Sequence, residues 1–111
     1  MDTFAPESRE YAKEWRLPAR KYKGWVHEVE VSLRHGDAIA YESESDGHGS
    51  GGPVEFNIHS HEGREVTYHA KRRDARAEGT FVAPWDGKFY LMWENASDVP
   101  VLVRARLRRQ G

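Results

Sequence analysis

The sequence predicts an all-β protein, a two-sheet antiparallel β-sandwich preceded by a short N-terminal helix or arm. Three observations carry that prediction. Apolar and polar residues alternate with period two through Trp25–Leu33, Val54–Ile58 and Val101–Leu107, the periodicity of extended chain with one buried face. Glycine-bearing turns punctuate these runs at His35-Gly36-Asp37, His61-Glu62-Gly63 and Trp85-Asp86-Gly87. Counted along the chain this makes six to eight strands with turns at regular spacing, the signature of a sandwich.

Residues 1–22 form the arm or helix and 23–109 the sandwich. Within PESREYAKEWRL (residues 6–17), Pro6 suits a first helical position, Glu7 and Glu10 suit the positive helix end, and Arg16 suits the last turn. Tyr11 and Trp15, four apart, share a face that would cover the sandwich or its edge. Pro18 ends the segment. An ordered arm without a helix fits the same residues.

From Lys23 the period becomes two. Trp25, His27, Val29, Val31 and Leu33 face one way and Val26, Glu28, Glu30, Ser32 and Arg34 the other. A lone histidine on the apolar side, His27, reads as a core or rim residue with a hydrogen-bond partner. Ile39 and Tyr41 continue a second strand after the Gly36 turn. Ser45–Gly52 (SDGHGSGG) is too polar and Gly-rich to pack, and it matches neither the P-loop nor the dinucleotide-binding spacing. His48 within it reads as solvated.

The stretch PVEFNIHSHEGREVTYHA (53–70) carries the clearest pattern and three of the six histidines. Matching its apolar sets pairs Val54 with Ala70, Phe56 with Tyr68 and Ile58 with Val66, leaving His61-Glu62-Gly63 as a three-residue turn. On the polar face this register sets His59 opposite Glu65 and His69 opposite Glu55, as ordinary cross-strand pairs. It also leaves a zinc or copper site as an alternative. His59 and His61 stand about 7 Å apart along the strand, with Glu65 as third ligand, while His69 is about 13 Å from His59 and cannot join.

KRRDARAE (71–78) reads as a mixed-charge connector. Phe81 and Ala83 then alternate against Phe89, Leu91 and Trp93 around Trp85-Asp86-Gly87, a second hairpin unless the strands cross between sheets as an arch. Tyr90 and Met92 fall on the outward face. Asn95–Asp98 is a turn. In the last strand Val101, Val103, Ala105 and Leu107 face inward, and Leu102, Arg104, Arg106 and Arg108 outward, the arginines as a solvated or edge-protecting row. The expected core sets Trp93 between the sheets with Phe56, Tyr68, Phe81 and Leu91.

Composition narrows the function. With 111 residues the chain is one domain that can bury a core. Only 38% of residues are hydrophobic, so four Trp, five Tyr and four Phe must supply much of that core. A net charge of −1 argues against a nucleic-acid binder. Without cysteine there is no disulfide, thiolate site or cysteine nucleophile. The start MDTFAPESREYAKEW lacks an apolar signal region, and no apolar run is long enough to span a bilayer, so the default expectation is a cytoplasmic protein.

The run GTFVAPWDGKFYLMWENASDVPVLVRARL resembles the C-terminal half of a GOLD (Golgi-dynamics) domain: a strand, an Asp-Gly turn, an aromatic strand, Trp-x-Asn and a Val-rich last strand. The VEFNIHSHEGREVTYH hairpin is similar to one in small bacterial proteins that carry a single GOLD-like domain. The resemblance spans Trp25 to Arg108. It implies a two-sheet sandwich used for protein–protein or lipid-surface contacts, without chemistry of its own. The signal peptide, membrane span, coiled coil and disulfide of eukaryotic cargo receptors have no counterpart here, so a role in vesicle traffic does not carry over.

The expected function is therefore a non-enzymatic binding or assembly module, with a protein partner or a second copy, or peripheral contact with a membrane surface. The alternative is a metal-binding protein through His59, His61 and Glu65. No nucleophile–base pair stands out for an enzyme, and no cofactor other than zinc or copper is indicated.

Overall fold

The computed structural model describes residues 1–46 and 54–110, so the reading of His48 and its Gly-rich neighbours lies outside the described residues. Among the described residues nine strands form: β1 (Asp2–Phe4), β2 (Glu10–Leu17), β3 (Val26–Leu33), β4 (Ala38–Ser45), β5 (Val54–Glu62), β6 (Glu65–Arg73), β7 (Arg76–Val82), β8 (Gly87–Asn95) and β9 (Val101–Gln110). They make a five-stranded sheet, β1-β3-β8-β5-β6, and a four-stranded sheet, β2-β9-β4-β7. All pairings are antiparallel except β1 with β3. The predicted β-sandwich is the observed fold.

The N-terminal helix does not form. Residues 2–4 extend the five-stranded sheet and residues 10–17 pair along β9, from Glu10 opposite Arg108 to Leu17 opposite Val101. The spacing that suggested a helix is ambiguous, because residues four apart share a face in a strand as well. Tyr11 and Leu17 are buried and Trp15 packs on the core. The free β9 backbone decides for the strand, offering eight residue pairs where a lone two-turn helix is marginal.

The first two strands lock the sheets together at this side. Asp2 accepts hydrogen bonds from Tyr11 Oη at 2.6 Å and Lys13 Nζ at 2.7 Å. Arg109 donates to the Ser8, Phe4 and Ala5 carbonyls and lies over the Phe4 ring. These donors satisfy carbonyls in the turn between β1 and β2 that would otherwise need water.

Inside, the expected aromatic core is present except for one member. Trp93, Phe56, Leu91 and Phe81 are buried, whereas Tyr68 is 53% exposed on the outer face of β6. The β9 alternation is as predicted, with Val101, Val103, Ala105 and Leu107 buried. Its arginines guard no edge, however, because β9 lies between β2 and β4. Glu14, Arg104, Glu44 and Arg76 stand in one row of alternating charge across that sheet, and Arg104 Nε meets Glu14 at 2.6 Å.

The second predicted hairpin is an arch. β7 belongs to the four-stranded sheet and β8 to the five-stranded one. Phe81 and Phe89 meet edge-to-face at 5.1 Å across the core rather than side by side in one sheet. The supposed connector is mostly strand as well: Lys71–Arg73 end β6 and Arg76–Glu78 begin β7.

Candidate functional site

The first hairpin forms with a different register. Glu62 pairs with Glu65 around a two-residue Gly63-Arg64 turn, and Gly63 takes a φ of +65°. This is the left-handed region that glycine occupies without a Cβ penalty. His61 pairs with Val66 and His59 with Tyr68, and then a bulge at His69 shifts the ladder so that Ile58 meets Ala70. The expected His59–Glu65 and His69–Glu55 pairs are therefore absent. A bulge adds one residue to one strand and re-aims the side chains beside it. Here it turns His69 inward, against Phe81, Phe89 and Trp85, with centroid distances of 5.3–5.5 Å.

With this register, the outer face of the five-stranded sheet carries rows of side chains that run across four strands. Glu30, Tyr90, His59 and Tyr68 form one row, and Glu28, Met92, Asn57 and Lys71 the next. Val26, Glu94, Glu55 and Arg73 form a third. Tyr90 and Met92 lie on the outer face as predicted. Among the described residues no strand packs over this face, and Tyr68 and Val66 are 53% and 44% exposed.

His59 is the centre of the face. It points outward yet is only 4% exposed. Its ring stacks on Tyr90 at 5.4 Å, with the His61 ring edge-on at 5.1 Å. Nδ1 lies 2.7 Å from Asn57 Oδ1, so the ring N–H donates to the amide oxygen. Nε2 faces Glu28 Oε2 at 3.4 Å. Burial first, then the positive forms of His61 and His69, push the His59 imidazole below its ordinary range.

Of the residues expected to hold zinc or copper, the face brings His59 and His61 together. Glu65 is aligned with Glu62 and so lies on the opposite face from His61 and Val66. No group of three His, Asp or Glu side chains is placed to hold a metal ion among the described residues.

Charge on the face is uneven. Lys88 lies 3.2 Å from Glu30, and Lys71 lies 3.5 Å from Glu55 and 5.0 Å from the Tyr68 ring centroid. Glu94 lies directly opposite Glu55. Burial, reinforced by Glu55, pushes the Glu94 carboxyl above its usual range.

A second polar cluster was not visible in the sequence. Ser60 Oγ donates to Glu62 Oε1 at 2.7 Å and lies 2.8 Å from His69 Nε2, while Thr67 donates to Glu62 Oε2. The serine–histidine contact resembles part of a hydrolytic triad. However, Ser60 is 2% exposed and its proton is held by Glu62 rather than by the imidazole. Only the bulge at His69 brings these residues together, and bulges leave little trace in a sequence.

No protein-family model matches the chain, and no curated protein matches it in sequence. Solved structures do match in fold. The pre-peptidase C-terminal domain of a Bacillus anthracis collagenase is 14% identical, with 98% of this chain and 93% of that one covered and a TM-score of 0.67. The Aeromonas hydrophila periplasmic inhibitor of g-type lysozyme, PliG, is 13% identical over 98% and 96% of the two chains, with a TM-score of 0.61. Its Salmonella Typhimurium counterpart is 7% identical over 99% of each, also at 0.61. At these identities the likeness shows a shared β-sandwich.

Proposed function

We propose that this chain is a non-enzymatic binding module that holds a protein partner on the outer face of its five-stranded sheet. One observation carries the reading: aromatic and apolar side chains that a sandwich normally buries, Tyr68, Tyr90, Met92 and Val66, are gathered on a face that no described element covers. Contiguous exposed apolar surface marks interaction sites, and aromatic side chains dominate binding energy at them. The outer face of the four-stranded sheet carries Val82 and Leu102 but, among the described residues, rows of paired Glu and Arg in place of aromatic side chains. The GOLD-like resemblance implies the same class of role. One structural neighbour, PliG, is an inhibitor of g-type lysozyme, a role of the same binding class.

The test is site-specific photo-crosslinking in extracts of the source cells, with a benzophenone side chain at position 68 or at the control position 106 on the other sheet. A discrete adduct from position 68, identified by mass spectrometry and absent from position 106, is the expected result. Indistinguishable labelling from the two positions refutes the reading.

A further inference from the structure

We propose that β6 is a self-pairing edge: two copies of this chain join their five-stranded sheets through β6, antiparallel about a two-fold axis at Tyr68, into one continuous sheet. β6 is the last strand of its sheet, nine residues long, and its far side pairs with no strand among the described residues. The amides and carbonyls along such an edge are a template for another strand. Val66 and Tyr68 stand exposed on it. Glu65, at its start, meets no cation among the described residues.

Charge and the bulge decide which strand fits. β6 begins with an acid, Glu65, and ends with three cations, Lys71, Arg72 and Arg73. Charges and bulges ordinarily keep foreign strands off an edge. Reversed on itself, the same strand is its own complement. With Tyr68 opposite its symmetry mate, Thr67 faces the doubled position His69-Ala70 of the second copy. Both bulges are then absorbed, and the inner and outer faces stay in phase. Val66 falls opposite Lys71 and Glu65 opposite Arg72, and the two-fold axis makes each contact twice. Arg72 also lies 3.4 Å from Asp74, and its several N–H donors can serve both carboxylates. A parallel copy would instead set Glu65 on Glu65 and the cations on one another. β7, an edge of the other sheet, has no such match: reversed about Gly79 it sets Arg76 against Val82 and Glu78 against Thr80. Pairing through β6 leaves the outer face open and doubles its width, so a second copy does not compete with a docked partner.

Sedimentation equilibrium of the purified chain should show a monomer–dimer equilibrium. Glu65→Lys and Arg72→Glu should each weaken it about tenfold or more, because each change acts twice across the axis. Glu65→Lys and Arg72→Glu combined should restore it, and Glu44→Lys on the other sheet should leave it unchanged. The chain has no cysteine, so single cysteines report the geometry. A short bismaleimide should link Tyr68→Cys chains to one another, since directly opposed Cβ atoms stand about 4.5–5.5 Å apart, and should leave Arg106→Cys chains unlinked. A wild-type chain that stays monomeric at every concentration overturns the proposal. So does a dimer that the charge reversals leave intact or that the double variant fails to restore, and so does equal linkage from the two cysteine positions. In the photo-crosslinking assay the two readings separate by mass: an adduct of twice the chain's mass reports this edge, and an adduct of any other mass reports a docked partner.

Discussion

Asn95 ends β8, is fully buried, and holds the lower end of the sandwich through its side chain. Nδ2 lies 3.2 Å from the Leu17 carbonyl, 2.9 Å from Pro18 O and 2.7 Å from Val99 O. Oδ1 accepts from the Ser97 amide at 2.9 Å and from its hydroxyl at 2.7 Å. Two amide hydrogens cannot fully serve three carbonyls, so the side chain makes about four full hydrogen bonds. Each contributes about 1 kcal/mol net, and a buried group left without a partner costs more. Ser97 Oγ lies 3.0 Å from Val99 O, and in the variant its one proton can turn to that carbonyl, which softens part of the loss. Asn95→Ala should therefore destabilise the protein by about 3–4 kcal/mol, a large share of a typical 5–15 kcal/mol. Asn95→Asp should do worse at neutral pH, because its charged oxygen would face three carbonyls. That arrangement raises the carboxyl pKa in the folded state. The deficit should then shrink as pH falls toward the unfolded value of about 3.9. Urea titrations followed by tryptophan fluorescence measure both effects. A loss below 1 kcal/mol for the alanine, or an aspartate deficit that grows on acidification, would refute this account. The same geometry explains the Trp-x-Asn pattern: Trp93 fills the core and Asn95 closes its end.

Gly79 lies beneath the Tyr41 ring, and a Cβ built there would sit 2.7 Å from the Tyr41 hydroxyl and 3.0 Å from the carbon that bears it. Gly79→Ala should cost about 1–3 kcal/mol, and clearly less in a Tyr41→Phe background; a double-mutant cycle with no coupling would contradict the contact. Stability should fall on acidification below about 6.5, because burial lowers the His27 and His59 pKa values in the folded state, and the unfolded chain then binds protons that the folded one does not. Asp2, lowered to about 2 chiefly by its hydrogen bond from Lys13, adds a further loss as pH drops from 3.8 toward 2. Denaturation midpoints across this range test both, and a flat profile between pH 7 and 5 would count against buried neutral histidines. For metal, thermal shifts with zinc or copper should be the same in wild type and His61→Ala, since Glu65 lies across the sheet from the histidine pair; a shift lost only in the variant would reinstate a metal site.

Much of the fold could be read from period-two alternation. The inward set of β9, the outward placement of Tyr90 and Met92, and the burial of Trp93, Phe56, Phe81 and Leu91 all follow from it. It says less about which strand lies beside which. Phe81 and Phe89 are apolar on facing strands whether those strands are hydrogen-bonded neighbours or lie on opposite sides of the core. Only the second is true here, and the short crossing from β7 to β8 has the same turn residues that a hairpin would use. The N-terminal segment is a similar case, since Tyr11 and Trp15 share a face in helix and strand alike.

The misplaced hairpin register has a more informative cause. Matching apolar to apolar assumes that Val66 and Tyr68 face the core, and in this strand they do not. Thr67, His69 and Ala70 occupy the inner side of β6, and Val66 and Tyr68 the outer side, beside His61 and His59. A strand whose interior positions hold threonine and histidine while its exterior holds valine and tyrosine breaks the pattern that folding alone would favour. Such local conflicts are expected where a surface serves a function rather than the core. The residues that misled the register are thus the same residues that build the candidate docking face. The buried His59, an imidazole on the outer face of the neighbouring strand with Asn57 and Glu28 at its two nitrogens, belongs to the same surface.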